Sequence, residues 1–426
     1  MSVIYDISVL GANYNIPRAK TGIYRAIENL AQELVKARGI GAFSATLRFA
    51  SYPECYAYLR SSPGLNSVPL LEPNIGDTAL SVIQYSQKWR HSGTPASLPM
   101  RGLSRLIFNR LSSKVWSRLS DPVRSDYLAE SRVFHSPFYP IPDQIKQCRT
   151  IKKVITVYDL IPLLYPEYFK FDESGLISRV LASIDENTWV TCISESTRND
   201  LCNYLPAIDP AKVFVTPLAA SATFYPCQDR AELDRVRKKY DIPDGPYVLS
   251  LSTLEPRKNI AQTIRSFFRL VEEEKIADLS LVLVGPKGWN FDAIFNEIAS
   301  SPKMRDRVIV TGYAPDEDLA PLYSGAMMFV YPSFYEGFGL PPLEAMQCGV
   351  PVITSNTSSL PEVVGDAGIY VSPNDGLALS QAMLDIYQSD ILRRQMSADS
   401  LDQAIKFSWK RCADQTIDVY KIAKSA

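Results

Sequence analysis

Histidine is scarce in this 426-residue sequence, which contains only His91 and His135. A metal centre built on several histidines is therefore excluded. The seven cysteines form no C-x-x-C pair and are odd in number. This argues against a disulfide framework and against a zinc site, so we expect the cysteines to be reduced residues of the protein core.

The chain also lacks net charge and long apolar runs. Its 45 basic and 46 acidic side chains nearly cancel, so bulk electrostatics gives no argument for nucleic-acid binding. No segment approaches the roughly 18 uninterrupted apolar residues that a membrane span needs, and the first residues lack the basic region of a signal peptide. We therefore expect a cytoplasmic protein, either free or peripheral at the inner face of the cytoplasmic membrane.

Hydrophobic residues, in contrast, make up 46% of the chain, which is enough for the cores of two or three domains. A β-branched strand at residues 3–9, a polar loop at 11–22 and an amphipathic helix at 23–37 begin an α/β pattern. The loop ends at Gly22, which either belongs to a helix cap or lets backbone amides face a phosphate or a sugar. Further strands of the first half are predicted at residues 44–50, 132–135, 153–158, 189–193 and 213–215.

The second half alternates regularly between apolar strands and helices. Strands are predicted at residues 247–252, 279–285, 307–311, 327–332, 350–354 and 368–371, and helices at residues 259–274, 291–300, 316–324, 342–348 and 376–388. Continuous apolar strands between helices indicate a parallel sheet covered on both faces. We predict two facing Rossmann-like domains, residues 1–216 and 217–406, followed by an amphipathic helix at residues 407–426.

Residues 330–352 combine a strand end, a glycine-bearing loop and a helix start. Gly337 and Gly339 carry no Cβ, so the backbone can approach a ligand there, and the amides that open the following helix offer an anion site. Glu336 lies on the loop, where open α/β sheets bind ligands. Glu344 follows it after seven residues, and it also has a purely structural interpretation as compensation of the helix dipole.

A second candidate segment, LEPRKN at residues 254–259, follows the first strand of the second domain and precedes a helix. Arg257 and Lys258 converge there with a helix N-terminus, a combination suited to binding a diphosphate. The alternative is a basic loop in solvent. The hydroxyl residues at 355–359 follow a later strand, and they either contribute to the site or cap the next helix.

These motifs together resemble the retaining glycosyltransferases of family 4, which have the GT-B fold. The strongest match is FYEGFGLPPLEAMQCGVPVITSNTSSLPEVVGDAG at residues 334–368, and LEPRKN is the next. Weaker matches lie in the first half at TGIYR, HSPFYP, VYDLIP and ISESTRNDL. The resemblance implies two facing Rossmann-like domains and a terminal helix that crosses back to the first domain.

The resemblance also assigns roles to individual residues. It implies that Arg257 and Lys258 hold the donor diphosphate, that Glu336 contacts the transferred sugar, and that Glu344 contacts the nucleotide ribose. Backbone groups would contact the sugar and the phosphate at Phe338, Gly339 and Leu340. Thr253 and Gly22 complete the candidate donor contacts.

One segment departs from the family pattern. Many relatives have a histidine before the aspartate that is matched here by Asp159, and this chain has Tyr158 instead. The contact of that histidine with the sugar is either made by the phenol or absent. His135 belongs to a different strand end and is either a core residue or an acceptor-site residue. We retain Tyr158, Asp159 and His135 as candidate contacts to the acceptor or the sugar.

For function, the resemblance implies a retaining hexosyltransferase that needs neither a metal nor another cofactor. The expected partners are a nucleoside diphosphate sugar and a saccharide or lipid-linked saccharide of surface polysaccharide synthesis, with mannose from GDP-mannose as the expected donor. A non-catalytic sugar- or nucleotide-binding protein on the same scaffold is the alternative. Asp316, Glu317 and Asp318 form a D-x-D pattern, but they open a helix, where acids match the dipole, so we assign no metal to them.

Residues 86–120 contain seven basic residues and no acidic one. From residue 103 onward the apolar residues fall on one helical face, which suits docking on anionic lipid. The alternative is a helix that packs on its own domain and exposes its basic face to solvent.

Overall fold

The computed structural model describes residues 3–14, 22–47, 51–74, 122–169, 174–288, 291–301 and 304–426. The basic stretch at residues 86–120 lies outside the described residues, so its interpretation stays a prediction. No helix within the described ranges is long and apolar enough to cross a bilayer.

The first sheet has six parallel strands in the order β2-β1-β3-β4-β5-β6. Successive strands are added towards one edge of the sheet from β1 to β2 and towards the other edge from β3 onward, so the switch point of the sheet lies between β1 and β3. The strands are β1 (Val3–Asp6), β2 (Ala42–Ser44), β3 (Val133–Ser136), β4 (Lys152–Val157), β5 (Thr188–Cys192) and β6 (Val213–Val215). The helices of this half are α1 (Ser8–Asn13), α2 (Gly22–Lys36), α3 (Ser51–Arg60), α4 (Ser125–Glu130), α5 (Asp143–Gln147), α6 (Ile161–Leu164), α7 (Ser174–Leu181) and α8 (Glu195–Tyr204).

The second sheet also has six parallel strands, in the order β12-β11-β10-β7-β8-β9. Read from β9, this is the 3-2-1-4-5-6 order of Rossmann folds, with the switch point between β7 and β10. The strands are β7 (Tyr247–Leu251), β8 (Ser280–Val284), β9 (Val308–Gly312), β10 (Met328–Tyr331), β11 (Val352–Ser355) and β12 (Gly368–Val371). The helices are α9 (Arg230–Lys239), α10 (Ile260–Glu273), α11 (Phe291–Ser300), α12 (Asp316–Ser324), α13 (Leu340–Gln347), α14 (Leu360–Val364), α15 (Gly376–Gln388), α16 (Asp390–Ala404) and the terminal α17 (Trp409–Ser425).

Both sheets are buried on both faces, as their apolar strands predict. Neighbouring residues of one strand, such as Phe329 and Val330, belong to different core clusters because alternate side chains of a strand point to opposite faces. One of these clusters includes Tyr5 of the first sheet as well as Phe329 of the second. The cores of the two halves are therefore continuous.

The terminal helix α17 crosses back to the first half of the chain and packs on α2 and on β3, β4 and β5. Tyr420 of this helix is fully buried, and its hydroxyl lies 2.6 Å from Nδ1 of His135. Ile417 packs at Gly39, where a Cβ would come within 2.8 Å of it. The predicted crossover of the terminal helix is thus confirmed, and the exact domain boundaries stay predictions.

Three segments differ from the sequence prediction. The strand predicted at residues 3–9 ends at Asp6, and Ser8 already begins α1. Within α1, Gly11 lies so close to α3 that a Cβ on it would come within 2.5 Å of the backbone nitrogen of Cys55. The strand predicted at residues 44–50 is confined to Ala42–Ser44 within the described residues. Helix α16 was not predicted because its buried side is narrow, consisting of Met396, Ser400, Gln403 and Ala404.

Candidate active site

The loop that carries Glu336 lies at the carboxyl end of β10, beside the carboxyl end of its neighbour β7. This is the switch point of the second sheet, the place where open α/β sheets bind ligands. The LEPRKN segment leaves β7 at the same edge and contacts the loop directly, since the Phe334 amide donates to the Arg257 carbonyl at 3.0 Å. The two segments that the sequence singled out therefore meet.

Glu336 forms ion pairs with both side chains that are predicted to bind the diphosphate, Arg257 and Lys258. Its Oε2 lies 2.8 Å from Nη1 of Arg257, and its Oε1 lies 2.6 Å from Nζ of Lys258. The three side chains are 10–13% exposed, so the cluster is nearly buried but still reaches solvent. Glu255 accepts a further hydrogen bond from the Arg257 guanidinium at 3.0 Å.

Two hydroxyls also donate hydrogen bonds to the Glu336 carboxylate. Ser333 donates to Oε1 at 2.6 Å and Tyr331 donates to it at 2.9 Å. Tyr331 also accepts a hydrogen bond from Lys258 at 2.8 Å. Neither residue was singled out from the sequence, although both immediately precede the glycine loop. Their proximity in the chain to Glu336 was the available signal.

The charges of the cluster stabilise one another. Burial alone would raise the pKa of Glu336, but Arg257 and then Lys258 outweigh it and lower this pKa to about 2. Burial, together with the charge of Arg257, lowers the pKa of Lys258, and Glu336 opposes that change. Although burial opposes it, the carboxylate of Glu336 raises the pKa of Arg257. The site is thus a preformed group of one ionised carboxylate and two cations.

A tight turn places the two cations. Pro256–Lys258 forms one turn of 3-10 helix, and Asn259 then adopts the left-handed conformation with φ of 57°. Asparagine tolerates this region better than most residues. Its side-chain amide donates to the carbonyls of Pro332 and Pro373, at 3.1 and 2.7 Å. Asn259 therefore fixes the direction in which the chain enters α10 directly after Arg257 and Lys258.

The hydroxyl segment at residues 355–359 supports the Glu336 loop. Ser358 accepts from the Glu336 amide at 2.9 Å, and Ser359 donates to the carbonyls of Glu336 and Phe338 at 2.9 and 2.6 Å. Ser359 occupies the N-cap position of α14, but its side chain makes no capping hydrogen bond. Of the two alternatives drawn from the sequence, the structure therefore supports the contribution to the site.

The glycine loop runs directly into α13. Gly339 has φ of 118° and occupies the N-cap position, and Leu340 is the first residue of the helix. Phe338 is buried, and its ring packs edge-on at 5.9 Å from Phe407, which precedes the terminal helix. From the first half of the chain, a Cβ on Gly22 would lie 3.4 Å from the Leu340 side chain. The start of α2 therefore faces the loop and the start of α13.

The remaining donor candidates lie around this group. Thr253 is exposed just beyond the end of β7. Glu344 is partly buried on α13 and accepts a hydrogen bond from Tyr323 at 3.1 Å. Burial raises the pKa of Glu344 to about 7, with Arg25 of the first domain and Tyr323 opposing the change. Glu344 can therefore change its charge near neutral pH.

The first half of the chain contributes Tyr158 and Asp159 to the opposite wall. A Cβ on Gly337 would lie 2.7 Å from the Tyr158 carbonyl and 3.3 Å from Oδ2 of Asp159. Burial raises the pKa of Asp159, while the amide of Ile161 and the charge of Arg257 oppose it. The Tyr158 ring is buried and packs 6.2 Å from Phe138. Asp159 is thus the nearer of the two to the ionised cluster.

His135 lies in the core of the first half and not on the wall of the cleft. It is fully buried, Nδ1 faces the Tyr420 hydroxyl, and Nε2 lies 2.8 Å from Oγ1 of Thr156. Burial lowers the pKa of His135 to about 3, so the ring is neutral at physiological pH. Of the two alternatives left open for His135, the structure supports the core residue.

The D-x-D pattern has a structural role. Asp318 is fully buried and accepts from Arg235 at 2.8 Å, and it also accepts from Lys239 and from the Tyr240 hydroxyl. These contacts fasten α9 to α12. Asp316 forms an ion pair with Arg25 of α2 across the cleft.

Comparison with known proteins agrees with this geometry. Residues 233–401 match the family model described as Glycosyl transferases group 1. O-antigen chain mannosyltransferase B of Escherichia coli is 38% identical over 295 residues, which cover 68% of this chain and 74% of that protein. Serotype-specific mannosyltransferase WbdA of Escherichia coli is 33% identical over 272 residues, which cover 63% of this chain and only 33% of that protein. The crystal structure of Anabaena Alr3699/HepE in complex with UDP has a TM-score of 0.65 at 13% identity, over 99% of this chain and 100% of that one.

The two facing parallel sheets, with a site at the switch point of the second, define the class of two-domain α/β proteins with the GT-B fold. The similarity to O-antigen chain mannosyltransferase B extends over most of that protein and narrows the class further. The chain belongs to the group 1 glycosyltransferases.

Proposed function

We propose that this glycosyltransferase moves mannose from GDP-mannose to a saccharide or lipid-linked saccharide acceptor in surface polysaccharide synthesis, with retention of the anomeric configuration and without a metal. The observation that carries the proposal is the buried group of Arg257, Lys258 and Glu336 at the switch point. The proposed donor sugar follows from the two relatives, an O-antigen chain mannosyltransferase and a serotype-specific mannosyltransferase. The UDP in the HepE structure supports a nucleotide donor in general.

The two cations suit the departing diphosphate. When the bond between the anomeric carbon and the phosphate oxygen breaks, negative charge develops on that oxygen. Arg257 offers forked donors and Lys258 a compact positive charge, and Glu336 already holds both side chains in place. Preorganised charge of this kind stabilises a transition state without reorganisation at the moment of reaction. It also supplies the counter-charge that a metal ion supplies in other glycosyltransferases.

The carboxylates suit the sugar and the ribose. Glu336 is ionised well below neutral pH, so it can accept hydrogen bonds from sugar hydroxyls throughout the physiological range. Glu344 lies farther along α13, where a ribose would follow the diphosphate. Asp159 and the backbone carbonyl of Tyr158 face the group from the first domain, the side from which an acceptor would enter.

The decisive experiment is a screen of the purified enzyme against a panel of nucleotide sugars, scored by nucleotide release in the presence of extracted acceptor lipid. We expect release from GDP-mannose, unchanged by a chelator, and a product whose anomeric configuration by NMR matches that of the donor. Activity that requires an added divalent metal would contradict the assignment of Arg257 and Lys258. Binding without turnover of any donor would favour a non-catalytic sugar- or nucleotide-binding protein.

A further inference from the structure

The loop that carries Glu336 is also held from the first domain. Ser194, at the start of α8, donates to the carbonyl of Gly337 at 2.7 Å. The hydroxyl of Thr197, one turn into α8, lies 3.2 Å from the same carbonyl and 3.1 Å from the carbonyl of Tyr158. Both side chains are 1% exposed. Gly337, which follows the candidate sugar-binding residue Glu336, is therefore held by hydroxyls of the first domain.

Two more contacts join α8 to the second domain. The carboxylate of Glu362 accepts from the backbone amides of Glu195 and Ser196, each at 2.7 Å. Amides at a helix N-terminus have no partner within the helix, and a carboxylate is favoured there. Farther along the helix, Asp200 accepts from the Tyr335 hydroxyl at 2.8 Å. We refer to this set of contacts between α8 and the second domain as the α8 contact.

The fit at Gly337 allows no side chain. A Cβ there would come within 2.7 Å of the Tyr158 carbonyl oxygen and 2.8 Å of the Asp159 Cβ. Real Cβ atoms do not approach other atoms this closely, so the two domains meet at this point only because residue 337 is glycine. The glycine of the loop thus serves the approach of the two domains, in addition to any approach of a ligand.

The neighbouring backbone groups are held differently. The amide and carbonyl of Glu336 and the carbonyl of Phe338 bond to Ser358 and Ser359, which belong to the second domain itself. These bonds join residues of one domain and do not require its contact with the other. The Gly337 carbonyl, in contrast, keeps its partners only when the first domain is in contact.

We infer that Ser194 and Thr197 are positioning residues for the transfer reaction. They hold the Gly337 carbonyl from the first domain and so fix the backbone beside Glu336, whose carboxylate is already paired with Arg257 and Lys258 within the second domain. The inference rests on the proposed function of Glu336. Its consequence is that a donor bound to the second domain alone meets a Glu336 loop without this support, so that transfer is fastest when both domains enclose the substrates.

The test separates positioning from folding. Ser194→Ala and Thr197→Val each remove a hydroxyl of the α8 contact, whereas Thr197→Ser retains it. Ser389→Ala is the matched control, because Ser389 caps α16 in the same way that Ser194 caps α8. Initial rates with GDP-mannose and acceptor give kcat and the donor KM for each variant, and thermal melting compares their stability.

We expect kcat to fall about tenfold in Ser194→Ala and in Thr197→Val, with the donor KM within about twofold of wild type. Thr197→Ser and Ser389→Ala should retain wild-type kcat, and the two Ser→Ala variants should lose similar thermal stability. In a Glu336→Gln background, Ser194→Ala should lower kcat no further, because both changes act through one carboxylate.

A kcat for Ser194→Ala and Thr197→Val equal to that of Ser389→Ala would overturn the inference, as would a loss confined to KM. If Ser194→Ala does not fold, the Thr197→Val and Thr197→Ser pair decides the question. Failure of the proposed function is recognisable separately, because the wild-type protein itself would then release no nucleotide from GDP-mannose.

Discussion

Replacing Glu336 by glutamine should affect stability and turnover together and leave nucleotide binding intact. The substitution preserves the shape of the side chain but leaves two nearly buried cations without their shared carboxylate. The pKa of Glu336 is lowered from 4.5 to about 2, which corresponds to about 3 kcal/mol of folding stability at neutral pH. Measured losses for breaking one side of a buried ion pair are about 3–5 kcal/mol, which agrees with this value.

The dependence on pH has a defined sign. Because the folded-state pKa of Glu336 is lowered, its stabilisation is fully present above the unfolded value of 4.5 and is lost as pH falls towards 2. The difference in the free energy of unfolding between wild type and Glu336→Gln should therefore be constant from pH 8 to pH 5 and shrink below pH 4.5. Turnover should fall about ten- to a hundredfold, the value of one charged hydrogen bond to the sugar.

Guanidinium unfolding at pH 7 and at pH 3.5 measures the loss of folding stability, and calorimetric titration with GDP measures nucleotide binding. GDP should bind Glu336→Gln at least as tightly as wild type, because the diphosphate no longer competes with a carboxylate for Arg257 and Lys258. Glu273→Gln is the control, since its exposed ion pair with Arg269 should contribute less than about 1 kcal/mol. Wild-type turnover in Glu336→Gln, or a stability loss as small as that of the control, would refute the reasoning.

Three further predictions concern other parts of the chain. Because the pKa of Glu344 is raised to about 7, GDP binding should strengthen as pH rises through 7 and the carboxylate ionises. In calorimetric titrations Glu344→Gln should bind GDP weakly at every pH. A Glu344→Gln variant with the pH profile of wild type would contradict the ribose assignment. Tyr420→Phe should lower the free energy of unfolding by about 1–3 kcal/mol, because His135 loses a buried partner, while kcat stays normal; a normal melting temperature would contradict this role. In the basic stretch at residues 86–120, each basic residue near an anionic surface contributes roughly 1 kcal/mol. Changing Arg105, Arg110 and Lys114 to glutamine should therefore weaken sedimentation with anionic liposomes well over tenfold. Unchanged sedimentation would favour the packed-helix alternative.

Much of the fold and of the donor side of the candidate site could be predicted from the sequence. The predicted strands of the second half agree with the observed ones to within one or two residues, because each is an apolar run bounded by helices. Arg257, Lys258 and Glu336 were predicted for a similar reason. Each lies on the segment that connects such a strand to the next helix, and the carboxyl ends of parallel neighbours lie at the same edge of the sheet.

Other features were decided only by the tertiary structure. The residues that surround His135 in the sequence do not reveal that the terminal helix encloses it. In the same way, the sequence of α16 does not reveal that this helix packs on α13 through a narrow and partly polar side. The pairing of Ser194 with the Gly337 carbonyl joins residues 143 positions apart. A local pattern of residues specifies helices, strands and the ends at which side chains emerge. Which strand ends face each other depends on how the two sheets pack, and the energy of that packing is distributed over the whole interface.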